Sequence, residues 1–70
     1  MGIADVREAF QRGLGAAGQC TDARMDYEQG GAMQILTFTV AGRGEAKVAV
    51  SASGDLITAA EAAGREMAAG

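Results

Sequence analysis

The feature that most constrains this chain is its shortage of bulk: sixteen alanines and eleven glycines fill 27 of its 70 positions. Seventeen large apolar residues remain (Val, Ile, Leu, Met, Phe and Tyr together), with no tryptophan. A chain of 60–70 residues buries only about 60% of the surface it exposes when unfolded, so the expectation is one small domain over residues 1–70 with a single thin core. Such marginal stability favours self-association. Leu, Ile, Val and Phe make up 12 of the 70 residues, close to compositions that stay disordered, but the net charge of −3 is well short of what disorder requires. A folded chain follows.

Ile3, Val6, Phe10, Leu14 and Ala17 step by three, four, four and three, which draws one apolar stripe along a helix. Glu8 and Arg12 add an i,i+4 pair in the favourable order, and Gly13, Gly15 and Gly18 offer successive stopping points. From Thr21 to Glu28 the period changes to two. Thr21, Ala23, Met25 and Tyr27 fall on one face and Asp22, Arg24, Asp26 and Glu28 on the other, the pattern of a strand wet on one side. Gln29-Gly30-Gly31 supplies a hairpin turn into a second strand, Met33 to Val40, and Ala41-Gly42-Arg43-Gly44 turns into a third around Ala46, Val48 and Val50. Asp55 or Ser53 then caps a helix through about Met67, with Leu56, Ala60, Ala63 and Met67 on its inner face, and the alanines permit a close approach to the sheet. The alternative is a short fourth strand over 56–58, with Thr58 capping the helix. The resulting fold class is α+β: helix, three-stranded antiparallel meander, helix. Both helices lie on the sheet face that bears Met25, Tyr27, Leu36, Phe38, Val48 and Val50.

Charge and cysteine usage remove several classes of function. Six basic residues are scattered among nine acids and the pI is near 4.6, which argues against a nucleic-acid partner. One cysteine, Cys20, forms no intramolecular disulfide, and with no apolar span or leader core near the start the expectation is a cytoplasmic chain with no membrane attachment. The Met1-Gly2 start lacks the Ser or Thr that myristoylation wants, since Val6 stands there. Gly13-Leu-Gly15-Ala-Ala-Gly18 spells the dinucleotide fingerprint, but it follows a helix where the motif needs a strand before it, so it is read as helix termination. With no histidine to serve as base, Cys20, Ser51 and Ser53 are poor nucleophiles, and Cys20 is expected as a buried or half-buried loop thiol. The residues point to no enzyme, no cofactor and no metal.

What remains is a surface for binding another protein. The acidic row Asp22, Asp26 and Glu28, with Arg24 among it, suits basic groups of a partner, and Ile35, Thr37 and Thr39 on the strand face opposite the core suit a sheet-face or edge contact to a target or a second copy. The expected function is a small acidic binding module that inhibits or modulates another protein, possessing Asp22, Arg24, Asp26, Glu28, Ile35, Thr37 and Thr39 as contact residues. In composition it is similar to the small acidic proteins with which phages and mobile elements block host machinery, anti-CRISPR proteins among them. A self-assembling structural subunit, including a homodimer, is the alternative. The order helix, three strands, helix in about 70 residues also resembles the double-stranded-RNA-binding domain. That resemblance implies RNA contact through Arg7, Arg12, Arg43 and Lys47, yet the lysine cluster that opens the family's last helix is replaced here by Ser53-Gly54-Asp55-Leu56-Ile57-Thr58.

Overall fold

The computed structural model describes residues 2–28 and 30–70; Gln29, the first residue of the expected β1–β2 turn, and Met1 lie outside the described residues. The elements are α1 (Ile3–Leu14), a 3-10 turn (Gly15–Ala17), β1 (Cys20–Tyr27), β2 (Met33–Val40), β3 (Gly44–Ser51) and α2 (Leu56–Ala69). The sheet is an antiparallel meander in the order β1-β2-β3, and both helices pack on one of its faces and against each other, as the patterning predicts.

Each element has a local cause. The carboxylate of Asp5 accepts from the Gly2 N–H at 3.0 Å, which ties down the start of α1. Gly15, at φ 59°, ends the α-helical run, because only glycine enters the left-handed region without penalty. Residues 56–58 form the first turn of α2, not a fourth strand. The decision belongs to Asp55, whose carboxylate accepts from Ile57 N, Thr58 N and the Thr58 hydroxyl and so satisfies amides that a strand would have to pair elsewhere.

The core is built mainly from α1 and the central strand. Val6, Ala9, Phe10 and Leu14 meet Leu36, Phe38 and Val40, with Cys20, Val50 and Ala60 closing the sides. Phe10 and Phe38 stack with ring centroids 4.1 Å apart and planes within 9°. The thin apolar inventory is thus concentrated in one contact between α1 and β2.

The small residues serve the helix–helix contact more than the approach to the sheet. A Cβ on Gly64 would overlap the Phe10 carbonyl and lie 2.8 Å from Leu14 N; a Cβ on Gly13 would overlap the Glu61 carbonyl and lie 2.9 Å from Arg65 N. Gly13, expected to help stop α1, instead lies inside it and allows backbone to touch backbone. Ala9 and Ala60, each four residues before these glycines, are fully buried. Both helices run towards Arg43 in the β2–β3 turn, whose guanidinium donates to the carbonyls of Ala17, Met67 and Gly70. A cation there meets the negative ends of both helices at once.

Two further expectations are corrected. Strict alternation puts Thr21 on the core face, but a bulge between Cys20 and Asp22 turns it out to solvent, where its hydroxyl donates to the Thr39 carbonyl, and Cys20 takes the inward position as a strand residue. Met25 and Tyr27 do lie on the helix-bearing face, yet they are 36% and 66% exposed. The N-terminal turn of α1 borders Asp22 and Ala23, so the helix begins too late along β1 to cover the far end of the strand.

Two outcomes follow. Gly64→Ala lowers stability by about 2 kcal/mol or more because the obstacle is backbone that cannot rotate away, whereas an open helical site would gain about 1 kcal/mol from the same change; urea unfolding measures the sign. The second concerns acid. Hydrogen bonds from the Thr58 hydroxyl and amide, then from Ile57, hold the Asp55 carboxyl below its ordinary 3.8. Its contribution is therefore present above that ordinary value and is lost as pH falls through the lowered one. Asp55→Ala lowers the melting temperature at neutral pH and leaves a shallower fall in melting temperature below about pH 4.

Candidate protein-binding surface

With both helices on one face, the other face of the sheet is open. The pairing places Asp22, Arg24 and Asp26 of β1, Met33, Ile35, Thr37 and Thr39 of β2, and Glu45, Lys47, Ala49 and Ser51 of β3 on it. Six of the seven expected contact residues therefore share one surface, because alternate residues of paired strands point the same way. Glu28 stands just past the end of β1, exposed, with its N–H donating to the Met33 carbonyl at 3.0 Å.

The electrostatics of this face differ from those of an acidic row. Arg24 pairs with Glu45 at 3.4 Å, an ion pair that spans the central strand between two edge strands. Lys47 adds a second positive charge in register with Arg24 and Thr37. Asp22 and Asp26 remain as carboxylates without an ion-pair partner among the described residues. The sequence reading missed Glu45 because it lies 21 residues from Arg24, and only the sheet register brings them together.

Down the middle of the face runs a strip of apolar and β-branched side chains. Met33, Ile35 and Thr39 are half-buried, and Thr37 is only 2% exposed although no layer covers it. Its neighbours across the strands, Arg24 and Lys47, are long enough to lay their methylene stems over it. Ile35, opposite Asp26 and Ala49, is the large apolar group offered at the centre.

The rest of the surface offers little enclosed volume. An open groove of about 350 Å³ runs between α2 and β3, lined by Ala46, Lys47, Val48, Ala63, Glu66 and Met67, and another of about 210 Å³ separates the start of α1 from β1. Among the described residues no three His, Cys, Asp or Glu side chains gather in one place, and no helix is long and apolar enough to cross a membrane.

Cys20 is buried, and that burial pushes its thiol above the ordinary 9.0, against smaller lowering effects from the Asp22 backbone and Arg7. Its Sγ donates to the Asp22 carbonyl at 3.3 Å, and its N–H donates to Gln11 Oε1 at 2.8 Å. Gln11 Nε2 in turn donates to the carbonyls of Gly15 and Gly18, so one side chain latches the whole α1–β1 connection. The Gly13–Gly18 fingerprint is thereby accounted for by helix packing, helix termination and this latch.

Of the four basic residues that an RNA contact would use, Arg12 and Arg43 are engaged within the chain, whereas Arg7 and Lys47 are in no ion pair among the described residues. Arg12 and Arg65 both pair with Glu61, Arg24 with Glu45, and Arg43 with helix-end carbonyls. Comparison with known proteins finds no matching family model, no matching curated protein and no matching solved structure. The likeness to the double-stranded-RNA-binding domain is one of element order.

The Cys20 environment gives a direct check. In the folded protein Cys20 is alkylated at least about tenfold more slowly than in denaturant, since both thiolate fraction and access fall, and Gln11→Ala speeds the folded-state reaction by loosening the latch.

Proposed function

We propose that this chain is a non-enzymatic protein-binding module that docks on another protein through the open face of its sheet and thereby inhibits or modulates it. The observation that carries this reading is the central strip of that face: Ile35, Met33 and the threonines of β2 stand in the middle of an uncovered sheet, where a solvated strand would ordinarily show polar groups. Around them stand Asp22, Asp26 and the Arg24–Glu45 pair, an arrangement with an apolar centre and charged surroundings that suits a protein contact. Glu28, beyond the strand end, extends the charged margin.

Chemistry within the chain has little to work with. The one thiol is buried with its ionisation suppressed, there is no histidine, and the carboxylates of the open face sit on a flat surface. The net charge of −3 argues equally against a phosphate-backbone partner.

The test compares tagged wild-type protein with Ile35→Asp in pull-downs from native-host lysate treated with nuclease. A stoichiometric protein held by the wild type and weakened by about thirtyfold or more in the variant is the expected result, since a central apolar anchor dominates such contacts. Equal capture by a variant with an unchanged circular dichroism spectrum excludes the open face as the docking surface. Material lost on nuclease treatment would instead favour RNA.

A further inference from the structure

We infer that the free edge of β1 is a seam between two copies of this chain, paired antiparallel about a two-fold axis at Met25. The seam runs along the edge of the sheet and the target-binding reading concerns its face; Arg24 and Asp26 border both, whereas Met25 belongs to the seam and Ile35 to the face.

The backbone is set for such pairing. β1 is an outer strand of the sheet. Glu28 N–H bonds the Met33 carbonyl of β2, so the even-numbered residues of this part of β1 direct their backbone groups to β2. By the alternation of an antiparallel ladder, Ala23, Met25 and Tyr27 direct theirs outward. The strand carries no proline and no lysine, two of the devices that blunt an edge.

The side chains say what covers that edge. Among the described residues Ile3, Met25 and Tyr27 are the exposed large hydrophobics, at 42%, 36% and 66%, and they gather at one corner on the helix side of the sheet because Ile3 borders Ala23. A two-fold at Met25 sets Met25 against Met25 of the second copy and Tyr27 opposite Ala23, beside Ile3 of that copy. Each of the three exposed apolar groups thereby gains an apolar neighbour from the same patch on the other chain, as an isologous contact demands.

Charge on the opposite face selects the register. The same axis puts Arg24 opposite Asp26 of the second copy, twice, at positions that are not hydrogen-bonded and where side chains approach most closely. Moving the axis to Arg24 would set Arg24 against Arg24 and Asp22 against Asp26; moving it to Asp26 would set Asp26 against Asp26 on the axis and leave Arg24 facing Glu28, which lies beyond the strand end. In the Met25 register the unfavourable pairing, Asp22 with Glu28, also occurs twice, but at the two ends, with Glu28 already beyond the strand. The product is a continuous six-stranded sheet with the open faces of both copies joined side by side.

Sedimentation equilibrium over a wide range of protein concentration tests this. The wild type is expected to move from one chain to two as concentration rises. Met25→Lys, which sets two ammonium groups together on the axis, raises the dissociation constant by at least about a hundredfold and leaves the thermal melt of the monomer unchanged. Arg24→Asp and Asp26→Arg each weaken association by about tenfold, and the double exchange restores association relative to either single change because the pairs are reversed. A wild type of single-chain mass at every concentration, a dimer that Met25→Lys leaves intact, or a double exchange no better than the singles overturns the proposal. Ile35→Asp, which lies off the edge, keeps the dimer, so loss of a target and loss of the seam are read separately.

Discussion

The contact between Gly13 and Gly64 is the constraint on which the rest of the structure depends. A chain with so few large side chains cannot fill a wide space between two helices, so the helices must come close enough for backbone to meet backbone, and a missing Cβ on each side allows it. Once α1 and α2 are drawn together, one side of α1 remains for the sheet, and Phe10, Leu14 and Val6 suffice to meet Leu36, Phe38 and Val40. Close-packed interiors depend on fit as much as on apolar content. Here glycine and alanine act as the fitted pieces, and the aromatic stack is the one bulky layer.

Committing both helices to one face has a consequence for what the molecule offers outside. Their shared direction brings both helix ends to Arg43, whose guanidinium donates to backbone carbonyls at each. It also leaves the opposite face bare and the far end of β1 uncovered. The two surfaces with unsatisfied apolar groups, the β2 strip around Ile35 and the corner formed by Ile3, Met25 and Tyr27, arise from the same economy of material: two short helices are too little to wrap three eight-residue strands.

Much of the fold was legible in the residues. The three-four spacing from Ile3 to Leu14 and the alternation in β2 and β3 give the elements, because helix and strand periods imprint directly on hydrophobic order. Asp55 was legible as a cap, although the residues also allowed a short strand over 56–58 with Thr58 as the cap. Thr21 was not legible: a bulge depends on how two strands meet, and β1 alone alternates without interruption through that position. Of the candidate surface, six residues were correctly grouped by parity, whereas the Arg24–Glu45 pair and the burial of Thr37 between Arg24 and Lys47 of the flanking strands depend on register across three strands.

The sequence by itself determined the element types and their order, the inward and outward parity of most strand residues, and the poverty of chemical groups, since these follow from local periodicity and composition. The tertiary structure alone decided which glycines permit helix contact and which end a helix, that α1 stops short of Met25 and Tyr27, and that opposite charges meet across the sheet. Those are distances between residues remote in the chain, set by how far one element can approach another, and no local pattern encodes them.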